Sequence, residues 1–179
     1  MLTNTHCPVC EMHGSPVYPL PIICSIQTEL RQLVKQAENW QFYEEWQHVI
    51  QIPEELICRE PFFKWLMARE PFQAGLIKML PRETYGWHTD SDRGVSINML
   101  LDHESSIVAF STKLTGIMKP IHPHTYEMGR FYVFNTQVPH MILNTGMADR
   151  ILFTLEFARD VTKLGFDQLV KDIEENYVF

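Results

Sequence analysis

The chain has 179 residues, 45% hydrophobic and 12% aromatic, which is enough apolar side chain for one domain with a sizeable core and excludes wholesale disorder. A formal net charge of -7 argues against nucleic acid or an anionic membrane surface as the main partner, but leaves room for a small anion held by a local cation. No apolar run approaches the roughly 20 residues that a membrane-spanning helix needs.

At the N-terminus, MLTNTHCPVC lacks the charged-then-apolar order of a secretory signal. The four cysteines, Cys7, Cys10, Cys24 and Cys58, lie in the first third and make a poor disulfide framework, so a reducing, cytoplasmic setting is expected. Cys7 and Cys10, with His6 and His13, are zinc-like residue types. They crowd together with no second pair at a zinc-finger interval, and the expectation is a mobile terminus with incidental thiols. SIQTELRQLVKQAENW then predicts a helix, with Ser25 as N-cap and Leu30, Leu33, Val34 and Ala37 on one face. The aromatic stretch NWQFYEEWQHV reads as core or helix packing. A second helical stretch runs from Pro53 through EELICREPFFKWLMARE, with Pro61 breaking it in two.

Near residue 72 the pattern turns to strands. Eight are predicted: 73–80, 84–88, 94–101, 106–111, 117–122, 130–135, 138–144 and 149–157. Short strands at regular spacing point to a sandwich or barrel. In RILFTLEF, Ile151, Phe153, Leu155 and Phe157 share one face, and Arg150, Leu152, Thr154 and Glu156 the other. The first face fits a sheet back covered by helices, and the second fits a partly solvated cavity. FDQLVKDIEENYVF closes the chain as a helix. The expected division is an N-terminal segment with flanking helices over 1–71, a β core over 72–158 and a C-terminal helix over 159–179, in one structural domain.

Two motifs carry chemistry. His88-Thr89-Asp90 places an imidazole and a carboxylate two residues apart, on one side of a strand. His140 follows within FNTQVPHMILN. Two imidazoles and a carboxylate are the ligand set of the facial triad that binds non-haem Fe(II) and leaves positions open. A jelly roll supplies such ligands from different strands. In a chain with eight histidines the pattern alone is weak, and His88 also reads as a hydrogen-bonded histidine with Asp90 in a turn. Arg150, ten residues after His140, strengthens it. An inward arginine in a closed roll is costly unless an anion meets it, and a carboxylate does so with bidentate geometry. Asn144-Thr145-Gly146 is also a plain turn signal, and His122 and His124, between prolines, read as a loop near the site mouth.

Together, His88, Asp90, His140 and Arg150 resemble the 2-oxoglutarate/Fe(II)-dependent dioxygenase superfamily. HMILNTGMADRILFTLEF is similar to the aspartyl/asparaginyl β-hydroxylase family in His140, Asn144, Asp149 and Arg150. That family usually has glycine where this chain has Asp90; the carboxylate here resembles the prolyl hydroxylase-like branch. The resemblance covers about residues 72 to 158. It implies a mainly β fold with flanking helices, an eight-stranded double-stranded β-helix (jelly roll, cupin-like). It implies Fe(II) on His88, Asp90 and His140, and 2-oxoglutarate chelating the iron with its C5 carboxylate on Arg150, helped by Thr154, with Asn98 as a further polar contact. O2 would take the last position, and oxidative decarboxylation to succinate and CO2 would drive hydroxylation of a small-molecule or peptide substrate. An amino-acid side chain, free or in a peptide, is the expected target. Two rivals remain at this level. One is a cupin-type metal enzyme that uses the triad without 2-oxoglutarate and gives Arg150 no anion. The other is a non-catalytic ligand-binding jelly roll with a vestigial triad.

Overall fold

A computed structural model describes residues 15–43, 47–102, 106–111, 122–158 and 163–179. The Cys7/Cys10 cluster with His6 and His13, and most of the strand expected over 117–122, lie outside them. In chain order the strands are β1 (Val17–Ile23), β2 (Gln41–Tyr43), β3 (Gln47–Gln51), β4 (Phe72–Met79), β5 (Thr84–His88), β6 (Ser96–Asp102), β7 (Ser106–Phe110), β8 (His122–His124), β9 (Arg130–Phe134), β10 (His140–Asn144) and β11 (Arg150–Phe157). The helices are α1 (Gln27–Gln36), α2 (Glu54–Ile57), α3 (Pro61–Arg69) and α4 (Phe166–Asn176). Among the described residues no helix is long and apolar enough to cross a membrane.

The strands form two antiparallel sheets, a larger one in the order β1-β9-β6-β11-β4-β3-β2 and a smaller one in the order β5-β10-β7-β8. This is the expected jelly roll. Its central strand, β11, shows why it closes. Ile151, Phe153, Leu155 and Phe157 enter the larger core, where Phe63 of α3 and Leu169, Val170 and Ile173 of α4 cover the sheet. The rings of Phe63, Phe131 and Phe153 meet at centroid distances of 4.8, 5.5 and 5.3 Å. Full burial stabilises each such ring by about 1.5–3 kcal/mol. Leu152, on the other face of β11, joins Leu100, Val108, Phe110, Tyr132 and Phe134 in a second cluster between the sheets.

Seven of the eight strands expected after residue 72 lie within two residues of their predicted bounds; the fifth is met at His122, where β8 begins. Upstream the structure differs from the expected pattern. Three strands precede residue 72, and β1 and β2 form the two edges of the larger sheet. β1 contains Pro19 and Pro21, and proline is tolerated on an edge strand because its missing N–H leaves no ladder bond broken on the open side. The stretch read as core or helix packing forms the β2–β3 hairpin; Trp40, just before it, does pack on the larger core, whereas Phe42 is exposed. Ser25 does not cap α1: Ile26 holds that position, α1 has no side-chain cap bond, and the Ser25 amide donates to the Glu60 carboxylate. Pro61 splits the second helical stretch as expected and is the first residue of α3; Pro53 precedes α2 as its N-cap.

Asn144 does more than shape a turn. Its Nδ2 donates to the carbonyls of Met79 (3.3 Å), Leu80 (2.9 Å) and Ala148 (2.8 Å), and its Oδ1 accepts from the Gly146 amide (3.1 Å). The β10–β11 turn is thereby stapled to the end of β4, directly before Arg150. Asn144→Ala leaves several buried carbonyls unsatisfied and is expected to lower stability by about 2–3 kcal/mol, read as a reduced urea midpoint at unchanged slope.

Candidate metal centre and anion pocket

β5 ends at His88, so Asp90 is not on the strand that carries the histidine. A loop returns it. The Asp90 amide donates to the Thr136 carbonyl (3.1 Å), the Thr136 hydroxyl donates to the Arg93 carbonyl (2.5 Å), and Gln137 Nε2 donates to the carbonyls of Asp90 and Arg93 (both 2.9 Å). His140 opens β10, and its Cα partner across the ladder is His88. Two residues far apart in the chain thus become a cross-strand pair, with ring centroids 4.2 Å apart.

Each imidazole is oriented by its own backbone. His88 Nδ1 lies 2.7 Å from the Gly86 carbonyl, and His140 Nδ1 lies 2.9 Å from the Val138 carbonyl. A carbonyl only accepts, so each Nδ1 carries the proton and each Nε2 keeps its lone pair. Both Nε2 atoms face Asp90 Oδ1, at 3.6 and 3.7 Å. Those separations are too long for hydrogen bonds and suit three donors around one ion. The three ligand atoms lie within 4.8 Å of one another, and this is the one such group among the described residues. Burial, then the neighbouring His88, pushes the His140 pKa down to about 4, so this imidazole is neutral and able to ligate at neutral pH. A charged His140–Asp90 pair is therefore not what holds these two side chains together.

Arg93 was not singled out from the sequence. Its Nε sits 2.5 Å from Asp90 Oδ2, which fixes the carboxylate and leaves Oδ1 to the imidazoles. Its Nη1 reaches Thr154 Oγ1 at 3.4 Å. Burial disfavours its charge, but Asp90, then Asp92 and Glu156, more than offset this and hold its pKa above the ordinary value. The only hint in the sequence was an arginine three residues beyond the candidate ligand.

Arg150 lies in the same cavity and is 2% exposed. Its Nε donates to the Ser106 hydroxyl (2.5 Å), while Nη2 has no hydrogen-bond partner and no carboxylate pairs with the guanidinium among the described residues. Burial pulls its pKa down to about 10. The Tyr126 hydroxyl, also enclosed and with no hydrogen bond of good geometry, lines the same space; burial pushes that phenol up to about 12, against the opposing pull of Arg150 and of the neighbouring Asn98 side chain. Buried donors facing one space without partners carry a desolvation cost that an anion relieves. Val108, Leu152 and Ile142 wall the cavity, whose volume is about 110 Å³.

Thr154 and Asn98 also line this cavity, joined by a 2.8 Å bond from the Thr154 hydroxyl to Asn98 Oδ1, which Ser96 also approaches at 3.2 Å. Thr154 is four residues along β11 from Arg150, about 13 Å of strand. It stands beside Arg93, at the Asp90 end. His122 and His124 belong to strand β8 rather than a loop, and His124 packs on Tyr126 and Tyr132 at 4.9 and 5.1 Å.

No protein family and no curated protein matches this chain. Solved structures do. HygX from Streptomyces hygroscopicus, with nickel and 2-oxoglutarate bound, matches with a TM-score of 0.61 over 93% of this chain and 90% of that one, at 8% identity. An oxidoreductase of the 2OG-Fe(II) oxygenase family from Burkholderia pseudomallei matches at 0.58, over 93% and 95%, with 12% identity. A Pseudomonas putida prolyl-4-hydroxylase matches at 0.53, over 75% and 84%, with 19% identity. What this chain shares with these proteins is the fold, an antiparallel jelly roll with flanking helices.

Proposed function

We propose that this protein is an Fe(II)- and 2-oxoglutarate-dependent oxygenase that hydroxylates an amino-acid side chain, free or within a peptide. One observation carries the reading: the His88–Asp90–His140 cluster shares a cavity with a buried arginine that has no counter-ion among the described residues. The donor set fits Fe(II), and the fold is shared with a protein solved with nickel and 2-oxoglutarate bound. With iron held by His88, Asp90 and His140, and with 2-oxoglutarate and O2, the centre supplies the oxidising power for C–H hydroxylation as 2-oxoglutarate leaves as succinate and CO2.

The residues of this chain position and shield. Arg150 pairs with the C5 carboxylate, with Tyr126 and Ser106 as neighbouring hydroxyls. The apolar walls exclude water from the reacting space. Thr154 stands beside Asp90 and Arg93, and Asn98, bonded to Thr154, lies between it and Tyr126 at the Arg150 end, where its carboxamide is a further polar contact for 2-oxoglutarate. The backbone carbonyls of Gly86 and Val138 keep both imidazoles in the ligating tautomer.

Metal-stripped protein given Fe(II), ascorbate and 2-oxoglutarate without added substrate is expected to release succinate slowly, and nickel-loaded protein to bind 2-oxoglutarate saturably. No succinate and no saturable binding would overturn the reading in favour of a jelly roll without 2-oxoglutarate chemistry.

A further inference from the structure

A second cavity, of about 190 Å³, adjoins the first and shares Ile77, Asp92, Arg93 and Thr154 with it. Its floor is the inner face of β2, β3, β4 and β11. The ladder registers fix its layout: Gln73 lies opposite Glu156, Gly75 lies between Gln51 and Thr154, and Gln41 lies opposite Val49. Four adjacent strands give a trough about 15 Å across. It opens on the Thr154 side of the metal cluster, away from Arg150.

We propose that the oxidised substrate lies in this trough and carries a positively charged nitrogen that meets Glu156; the inference rests on the oxygenase reading and names the class of its substrate. Three features support it. First, Gly75 is in the middle of a strand, where glycine weakens the sheet. Its backbone is not in the left-handed region, and a Cβ there would lie 3.4 Å from the Ile50 carbonyl and 3.5 Å from Val49 Cγ1, which are ordinary contacts. The fold therefore tolerates a side chain at this position, and its absence deepens the trough where a ligand would pass from Gln51 towards Thr154. Second, the trough carries the Glu156 carboxylate, which has no ion pair among the described residues, while the guanidinium beside it, Arg93, commits its Nε to Asp90. Among the described residues, Glu156 is therefore left for a cation. Third, Gln41, Gln51 and Gln73 present carboxamides, which both donate and accept and so match amide or hydroxyl groups of a bound molecule.

The test is calorimetric titration of the full chain loaded with nickel and 2-oxoglutarate, using N-acetyl-L-lysinamide and N-acetyl-L-glutaminamide as probes. The lysine probe is expected to bind roughly fivefold more tightly, the scale of one partly exposed ion pair. Glu156→Gln, an exposed and nearly isosteric change, should erase that preference. Gly75→Val should weaken both probes, with Gly75→Ala as a milder version that keeps the strand intact. Equal binding of the two probes, a preference that survives Glu156→Gln, or no binding of either probe to the loaded protein overturns the proposal. Failure of the wild-type chain to take up nickel or 2-oxoglutarate, read before any probe is added, instead removes the oxygenase reading.

Discussion

Arg150→Met is expected to cost about a hundredfold in 2-oxoglutarate affinity while making the ligand-free protein more stable. Both effects follow from one fact: the guanidinium is enclosed, bonded through Nε to Ser106, and has no anion of the protein's own among the described residues. A charge-assisted, bidentate contact with a desolvated carboxylate is worth about 3 kcal/mol, and methionine removes it without leaving a hole. Before ligand binds, however, the arginine is a buried charge without compensation, which is why burial alone drags its pKa down to about 10. Replacing such a charge by an apolar side chain of similar length stabilises by about 1–2 kcal/mol. The measurements are 2-oxoglutarate titration of nickel-loaded protein and urea midpoints without ligand. Arg150→Lys should fall between the two, since it keeps the charge and loses the fork. Unchanged 2-oxoglutarate binding in Arg150→Met would break the assignment of this pocket.

Asp90→Ala is expected to remove both the metal and a stabilising ion pair, whereas His88→Ala should remove only the metal. Asp90 Oδ1 faces the two imidazoles, and its Oδ2 holds Arg93 at 2.5 Å, with the two side chains 8% and 25% exposed. Deleting the carboxylate takes away the nearest counter-ion of half-buried Arg93 and leaves it only the longer-range pull of Asp92 and Glu156, at a cost of about 2–3 kcal/mol. His88 has no such partner to strand. Metal affinity should fall at least about a hundredfold in both variants, while the urea midpoint of metal-free protein falls only in Asp90→Ala. Equal loss of stability in the two would mean that the Asp90–Arg93 pair contributes little. Retained metal in either would displace the ligand set.

Much of this was legible in the sequence, and the particular residues show why. The strands after residue 72 could be read because alternation is local: RILFTLEF states its two faces without reference to anything else, and the structure puts one face under helices and the other over the cavity. His88, Asp90, His140 and Arg150 were identifiable because their residue types and spacing restrict the chemistry they can share. The same reasoning missed β1, because its prolines argue against a strand until it is known to lie at an edge. It missed the β2–β3 hairpin, whose aromatics resemble core packing. It also assumed that Asp90 would share a face with His88 by strand geometry, when loop contacts to Thr136 and Gln137 bring it there. Arg93, Tyr126 and Gly75 were invisible for a common reason: each matters through what stands opposite it, and that is set by other parts of the chain.

The sequence alone determined the alternation of the strands, the helix-breaking proline and the residue types of a metal-and-anion site, because these depend on near neighbours and on side-chain chemistry. Only the tertiary structure decided that His140 would stand across from His88, that Arg93 would hold Asp90, and that Arg150 would lie buried without a carboxylate among the described residues, because register, desolvation and the pairing of charges arise only when distant segments close on one another.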